Sequence, residues 1–374
     1  MKILYISHLH PPKNKPLKSI GGMQSVSMQL VDSLQKSKDI EIESIIMRAS
    51  WKFIRLKTFF FLMSLVWRIP AKIEKTKPDV VLFSSMVTAG ILPFILNKTK
   101  VPFVTINHGQ DVTFPSATYQ RYLSFLFKQL DGVISVSSAT RNACIERGME
   151  PEKGVALPNG FDTKVMDMLP EKNKARKLIE EQFKLDLSGR KLLLSVGRQV
   201  KRKGYRWFVD KTFDKIKTDT VYLIVGDGPE RENIQKAKEK SDKKEKIVIV
   251  GKQPDEILNA CYAAADLFIM PNIPVEGDME GFGIVLLEAN RAGVPAIASD
   301  LEGIKDVIEE GVNGYKIPHG NPDLFAAKID YVLRHELDEL SRKSKEYVQK
   351  YYSWDTVVDQ YISFLERVVN RESA

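Results

Sequence analysis

Short continuous apolar runs recur along the chain between longer stretches of helical periodicity. In the first half they are Lys2–Ile6, Val80–Phe83, Phe103–Ile106 and Val133–Val136. In the second half they are Leu192–Val196, Val221–Val225, Ile247–Val250, Leu267–Met270 and Ala296–Ala298. The runs are unbroken rather than alternating, as expected of parallel strands covered by helices on both faces. Strands separated by helices of ten or more residues imply βαβ units. The pattern therefore predicts an α/β chain with two open, doubly wound sheets in tandem.

Punctuation places the join after Pro158-Asn159-Gly160-Phe161-Asp162, where Pro and Asn-Gly break regular structure. The expected organisation is a first domain over 1–165, a second over 166–352 and a terminal helix over 353–374. A polar helical stretch, 170–181, leads into the second domain. In the terminal stretch, Val357, Val358, Tyr361, Phe364, Leu365 and Val368 line up as one apolar stripe of a helix. Ligands of open α/β sheets bind beyond the carboxyl ends of the strands. Two such domains face to face would form a deep cleft, so the loops after the strands are where chemistry is expected.

Composition narrows the class. The chain has 374 residues, 43% hydrophobic and 28% charged, a globular balance able to support two cores. Cys144 and Cys261 are its two cysteines, too few for a disulfide framework or a Cys-rich metal site. The excess of basic residues gives a net charge of +8, which suits a phosphate-bearing ligand or an anionic surface better than nucleic acid. No run reaches the roughly 18 apolar residues of a membrane-spanning helix, and the start MKILYISH lacks a signal-peptide core. A cytoplasmic location is expected.

The strongest chemical signal is Glu280-Gly281-Phe282-Gly283-Ile284-Val285-Leu286-Leu287-Glu288. It follows the strand at Leu267–Met270 and a polar loop. Gly281 and Gly283 permit close approach of backbone to ligand, and the helix beginning at Ile284 offers free N–H groups to an anion such as a diphosphate. Glu280 and Glu288 can each reach hydroxyls of one ligand; the bland alternative is a surface loop and an exposed helix charge. Leu286 and Leu287 favour a buried helix, where an unpaired Glu288 would be costly.

Gly197-Arg198-Gln199-Val200-Lys201-Arg202-Lys203-Gly204 comes directly after Leu192–Val196. Arg198 and Lys203 there suit phosphate oxygens, although a solvated basic loop is the simpler reading. In Asn107-His108-Gly109-Gln110-Asp111, His108 ends a strand and can donate a hydrogen bond or move a proton; the alternative is a turn histidine bonded to backbone. Gly21-Gly22 opens a helix in the first domain, and the Gly226-Asp227-Gly228-Pro229 turn reads as structural. His8 and His10 also follow a strand. No Gly-x-Gly-x-x-Gly, no P-loop and no metal-ligand spacing occurs.

These motifs, in this order and over nearly the whole chain, resemble the retaining glycosyltransferases of family 4, which have the GT-B architecture of two facing Rossmann-like domains. The pair Glu280 and Glu288, Gly197-Arg198 with Lys203-Gly204, Pro158-Asn159-Gly160, Ala265-Asp266-Leu267-Phe268, His108-Gly109 and Gly21-Gly22 carry the likeness. The resemblance implies that Arg198 and Lys203 bind a donor diphosphate. It implies that Glu280, with backbone of Gly281, Phe282 and Gly283, holds the transferred sugar, and that Glu288 holds the ribose. His108 would approach the sugar as a second catalytic group, Gly22 would lie near the donor phosphates, and Lys252 and Gln253 would lie near the base. The terminal helix would return to the first domain.

The implied reaction is hexosyl transfer from a nucleotide sugar, UDP-linked by family frequency, to a glycan or lipid-linked acceptor with retention, serving polysaccharide or glycoconjugate synthesis. Two cations and a helix N-terminus would stabilise the leaving diphosphate, so neither a cofactor nor a metal is expected. The alternatives are a non-catalytic sugar-nucleotide binder and a GT-B epimerase or hydrolase. Residues 51–68, Trp51 to Arg68, mix cations with aromatics as an interfacial helix does, which would give a peripheral contact with an anionic inner membrane face. The same stretch also reads as a helix packing on the first sheet with Lys52, Arg55 and Lys57 solvated.

Overall fold

A computed structural model describes residues 1–10, 22–49, 54–95, 100–163 and 168–372. The chain divides into two compact units, Met1–Asp162 with Tyr352–Ala374, and Thr163–Tyr351. Each unit is built on one six-stranded sheet in which every pair is parallel. In the first unit the strands are β1 (Lys2–His10), β2 (Glu41–Arg48), β3 (Val80–Phe83), β4 (Phe103–Asn107), β5 (Gly132–Ser135) and β6 (Gly154–Ala156). Their order is β2-β1-β3-β4-β5-β6. In the second unit they are β7 (Lys191–Val196), β8 (Thr220–Val225), β9 (Ile247–Val250), β10 (Leu267–Met270), β11 (Ala296–Ser299) and β12 (Gly314–Ile317), ordered β12-β11-β10-β7-β8-β9. Both are doubly wound sheets, with strand order reversing next to the first strand of the unit. Each unit is thus an α/β doubly wound domain.

The central strands β3, β5, β8, β10 and β11 are buried throughout, which is why their sequences are unbroken apolar runs. Three strands were absent from that pattern: β2, β6 and β12. All three lie at sheet edges. The burial of β2 falls on Ile45 and Met47 within Glu41–Arg48, and β6 is only half-buried, so neither carries a continuous apolar signal. β1 also runs four residues past Ile6, so His8 and His10 lie within the strand rather than beyond it.

The C-terminal helix Trp354–Glu372 packs within the first unit. Trp354 Nε1 donates to Gln29 Oε1 at 2.8 Å, and its indole lies against Gly160, where a Cβ would be 2.6 Å from the ring. Phe364 and Val368 press on Gly132 at the start of β5. The Ile54–Thr76 helix has two apolar sides. Phe61, Leu65, Ile69 and Ile73 recur every four residues and are buried, whereas Leu56, Phe59, Phe60, Met63 and Trp67 fill the opposite side and are exposed. Residues 51–53 lie outside the described residues.

Candidate functional site

In the second unit the strand order reverses between β7 and β10, and the loops leaving these two strands meet there. The loop after β7 ends in a tight turn, Lys201–Lys203, closed by Gly204. Gly204 has φ +66°, and a Cβ on it would lie 1.9 Å from the carbonyl oxygen of Pro271 in the loop after β10. Only glycine lets the two loops approach this closely.

That approach brings Lys203 onto Glu280. Lys203 Nζ lies 2.6 Å from Glu280 Oε2, and the two residues are 6% and 7% exposed. Asn272 Nδ2 donates to the same oxygen at 3.1 Å. Arg202 Nε sits 3.6 Å from both Glu280 and Asp278, close enough to attract both carboxylates but too far for a hydrogen bond. Burial alone would push the Glu280 carboxyl up. The charges of Lys203 and Arg202, with the hydrogen bonds of Lys203 and Asn272, outweigh it and hold the group below the usual carboxylate range. Glu280 is therefore a buried anion whose charge is matched by two cations.

Gly283 caps the helix Ile284–Arg291, whose N-terminus opens beside this cluster. Glu288 does not stand unpaired, as the sequence had left open: Tyr262 Oη donates to its Oε2 at 2.6 Å. Burial and the Glu288 charge push the Tyr262 phenol well above its usual value, so it stays a donor. Arg198 is exposed and has no ion-pair partner among the described residues. Gln199 is fully buried and donates to Gly226 O at 2.8 Å. Its Oε1 and the Oδ1 of Asn272 are buried acceptors without a donor among the described residues.

The other sequence-selected residues lie elsewhere. Lys252 is exposed and Gln253 half-buried in the turn after β9, with Gln253 Nε2 donating to Gly251 O. Asp266 serves the fold: it accepts from Lys172, Arg176 and the Leu192 N–H, tying the Lys172–Phe183 helix to β7. Gly226 and Gly228 let the turn after β8 lie against Gly197 and Gln199. In the first unit Gly22 is the exposed first residue of the Gly22–Lys36 helix, and Gly21 lies outside the described residues. His108 follows β4. Its N–H donates to Asp111 Oδ1 at 2.8 Å, and its Nε2 lies 2.9 Å from Ser84 O. Burial, helped by the nearby His108, pushes His8 down to about 4, so its ring is neutral near pH 7.

Sequence reasoning passed over Arg202 and Asn272, although both lie inside the loops it selected. It had no signal for Tyr262, which comes from the Asp255–Ala264 helix.

Two doubly wound units, with cations and carboxylates gathered where the second sheet reverses, define a GT-B protein. The sequence places it more narrowly. Residues 20–165 match the profile of Glycosyltransferase Family 4, and residues 178–351 match that of Glycosyl transferases group 1. The chain belongs to the family 4-type glycosyltransferases. It is 29% identical over 177 residues to an uncharacterized glycosyltransferase of Methanocaldococcus jannaschii, 46% of this chain and 44% of that protein. It is 29% identical over 277 residues to the N-acetyl-alpha-D-glucosaminyl L-malate synthase of Bacillus anthracis, 70% of this chain and 67% of the synthase. The first of these relatives is thus matched over less than half its own length. Anabaena HepE, solved in complex with UDP, superposes with a TM-score of 0.73 at 17% identity, covering 98% of this chain and 100% of HepE.

Proposed function

We propose that the chain is a hexosyltransferase of glycoconjugate or polysaccharide biosynthesis. It would move a sugar from a nucleotide sugar, preferentially UDP-linked, to a glycan or lipid-linked acceptor with retention of configuration. The observation that carries this reading is the Lys203–Glu280–Asn272 cluster beside a helix N-terminus. It joins fixed positive charge and a fixed carboxylate, which is what a sugar diphosphate requires. HepE's complexes with UDP and with UDP-glucose support the choice of donor.

As the sugar–phosphate bond breaks, the leaving diphosphate gains negative charge. Arg198, Lys203 and the helix N-terminus are assigned to that charge, Glu280 with the 281–283 backbone to sugar hydroxyls, and Glu288 to the ribose. Lys252 and Gln253 are assigned to the base, Gly22 to the phosphates and His108 to the acceptor side. No group is assigned as a nucleophile. Retention would follow from attack on the face the diphosphate leaves, with a departing phosphate oxygen taking the acceptor proton. No metal is assigned a role, so transfer should survive chelation.

The test is release of free nucleoside diphosphate from a panel of UDP-, GDP- and ADP-sugars, with and without acceptor and with EDTA. Acceptor-dependent release supports transfer. Release without acceptor indicates a hydrolase, and binding without release a non-catalytic protein. Loss of activity in EDTA, restored by a divalent ion, would overturn the metal-free assignment.

A second partner is proposed on the Ile54–Thr76 helix: an anionic membrane surface. Among the described residues no helix is long and apolar enough to cross a bilayer. This one instead exposes an aromatic side, Phe60 at 62% and Trp67 at 67%, with the exposed Lys57 and Arg68 beside it. Apolar rings flanked by cations suit a headgroup boundary.

A further inference from the structure

The turn after β11, Leu301–Gly303, contains a residue in an unfavourable backbone state. Glu302 has φ +48°, in the left-handed region where a Cβ crowds the following carbonyl. Local geometry there asks for glycine, so what glutamate adds is its carboxylate. That carboxylate accepts the backbone N–H of Glu280. The next residue grips the same residue from the other side: the Gly303 N–H donates to Glu280 O at 3.1 Å. A Cβ on Gly303 would lie 2.1 Å from Gly281 O, so the turn is pressed flat against the 280–281 backbone. Glu280 is thus held at both main-chain polar groups by one turn from a different strand.

We propose that Glu302 is a positioning residue for the donor site. By fixing the Glu280 backbone it aims the Glu280 side chain at Lys203 and sets the path of Gly281 to Gly283 into the helix. Backbone strain held by a specific hydrogen bond next to a site is a recognised way of preorganising it. The groups that face Glu302 are Glu280, Asp278 and Arg202, two acids and one base. Burial and the two acids raise the Glu302 carboxyl, and the hydrogen bond and Arg202 oppose that rise. The proposal rests on the glycosyl-transfer reading for its kinetic consequence but not for its structural one.

Two variants of the full-length protein test it. E302Q keeps an oxygen that can accept the Glu280 N–H and removes the charge. E302G adopts the turn without strain and removes the acceptor. The deciding measurement is the titration of the Glu280 carboxyl followed by carbon NMR. Removing a nearby anion can only lower it, whereas loosening the Lys203 pair raises it. The expected result is a rise in E302G and none in E302Q. In turnover, E302G should lose on the order of 10-fold in kcat, the scale of one hydrogen bond to a charged group, while E302Q keeps its kcat. An unshifted Glu280 titration in E302G, or an E302Q as impaired as E302G, overturns the proposal. Failure of the parent protein to turn over any donor would count against the transfer reading instead, because the titration needs no turnover.

Discussion

Replacing Lys203 with methionine keeps its length and apolar stem but leaves Glu280 a buried anion. Removing one member of a buried ion pair costs ~3–5 kcal/mol. Arg202 at 3.6 Å and the Asn272 hydrogen bond remain, which favours the lower end, ~3 kcal/mol. For a domain of roughly 150–250 residues each kcal/mol moves the melting temperature by ~2–4 °C, so a drop of roughly 6–12 °C is expected. The sign of the pH dependence follows from Glu280. In the parent its carboxyl is held low, so it contributes stability at pH above the ordinary carboxylate value of ~4.3, lost as pH falls through the folded value. In Lys203→Met burial is less opposed, so the carboxyl rises and the deficit is largest near neutrality and shrinks on acidification. Adding Glu280→Gln removes the second charge and should recover most of the loss, because replacing both members of a buried pair is often nearly neutral. Scanning calorimetry of the full chain at about pH 7 and about pH 5 measures all three proteins; on the proposed donor reading, the second unit's transition is the one that UDP should raise. A Lys203→Met transition within ~2 °C of the parent near pH 7, or a double variant no more stable than the single, would refute the reasoning.

Arg198→Ala should raise the donor KM and lower kcat by ~10²-fold, the scale of losing one charge-stabilising group; steady-state kinetics with the best donor of the panel decides it. Glu288→Ala should weaken calorimetric binding of the bare nucleoside diphosphate, whereas Glu280→Ala should spare it and reduce transfer; equal losses would show that the two roles are not divided. Tyr262→Phe, which removes the hydrogen bond to Glu288, should weaken nucleotide binding by ~5-fold, and unchanged affinity would detach Tyr262 from the site. The protein should sediment with anionic vesicles at low salt and be released by ~0.5 M salt, with Phe60→Ser/Trp67→Ser abolishing the binding and leaving nucleotide affinity intact.

Legibility in the sequence followed burial, with the edge strand β9 as the exception. β7, β8, β10 and β11 sit inside a sheet and announce themselves as apolar runs, whereas β2, β6 and β12 lie at edges, where half the side chains face solvent. The loops after β7 and β10 were found because charge and glycine stand together at strand ends. That Lys203 would pair with Glu280 was not legible: the contact depends on a close approach at Gly204 and Pro271, between loops about seventy residues apart. The supports of the site were hidden for the same reason. Tyr262 reads as one more apolar position of a helix, and Glu302 as an acidic residue in a turn. The Ile54–Thr76 helix carried both expected readings at once, because its sequence supplies one apolar side to the sheet and another to solvent.

The first unit is assembled from both ends of the chain, while Thr163–Tyr351 is one uninterrupted stretch. During synthesis the second unit has all of its residues before the ribosome reaches Trp354. The first sheet, although translated earlier, must wait with Gly132, Gly160 and Gln29 uncovered until the last helix emerges to meet them. The order of completion is therefore the reverse of the order of translation, and the interval is set by the length of the second unit. A chain ending just before Trp354 would carry a finished second unit and a first unit with an open seam, the kind of exposed apolar surface on which quality control acts.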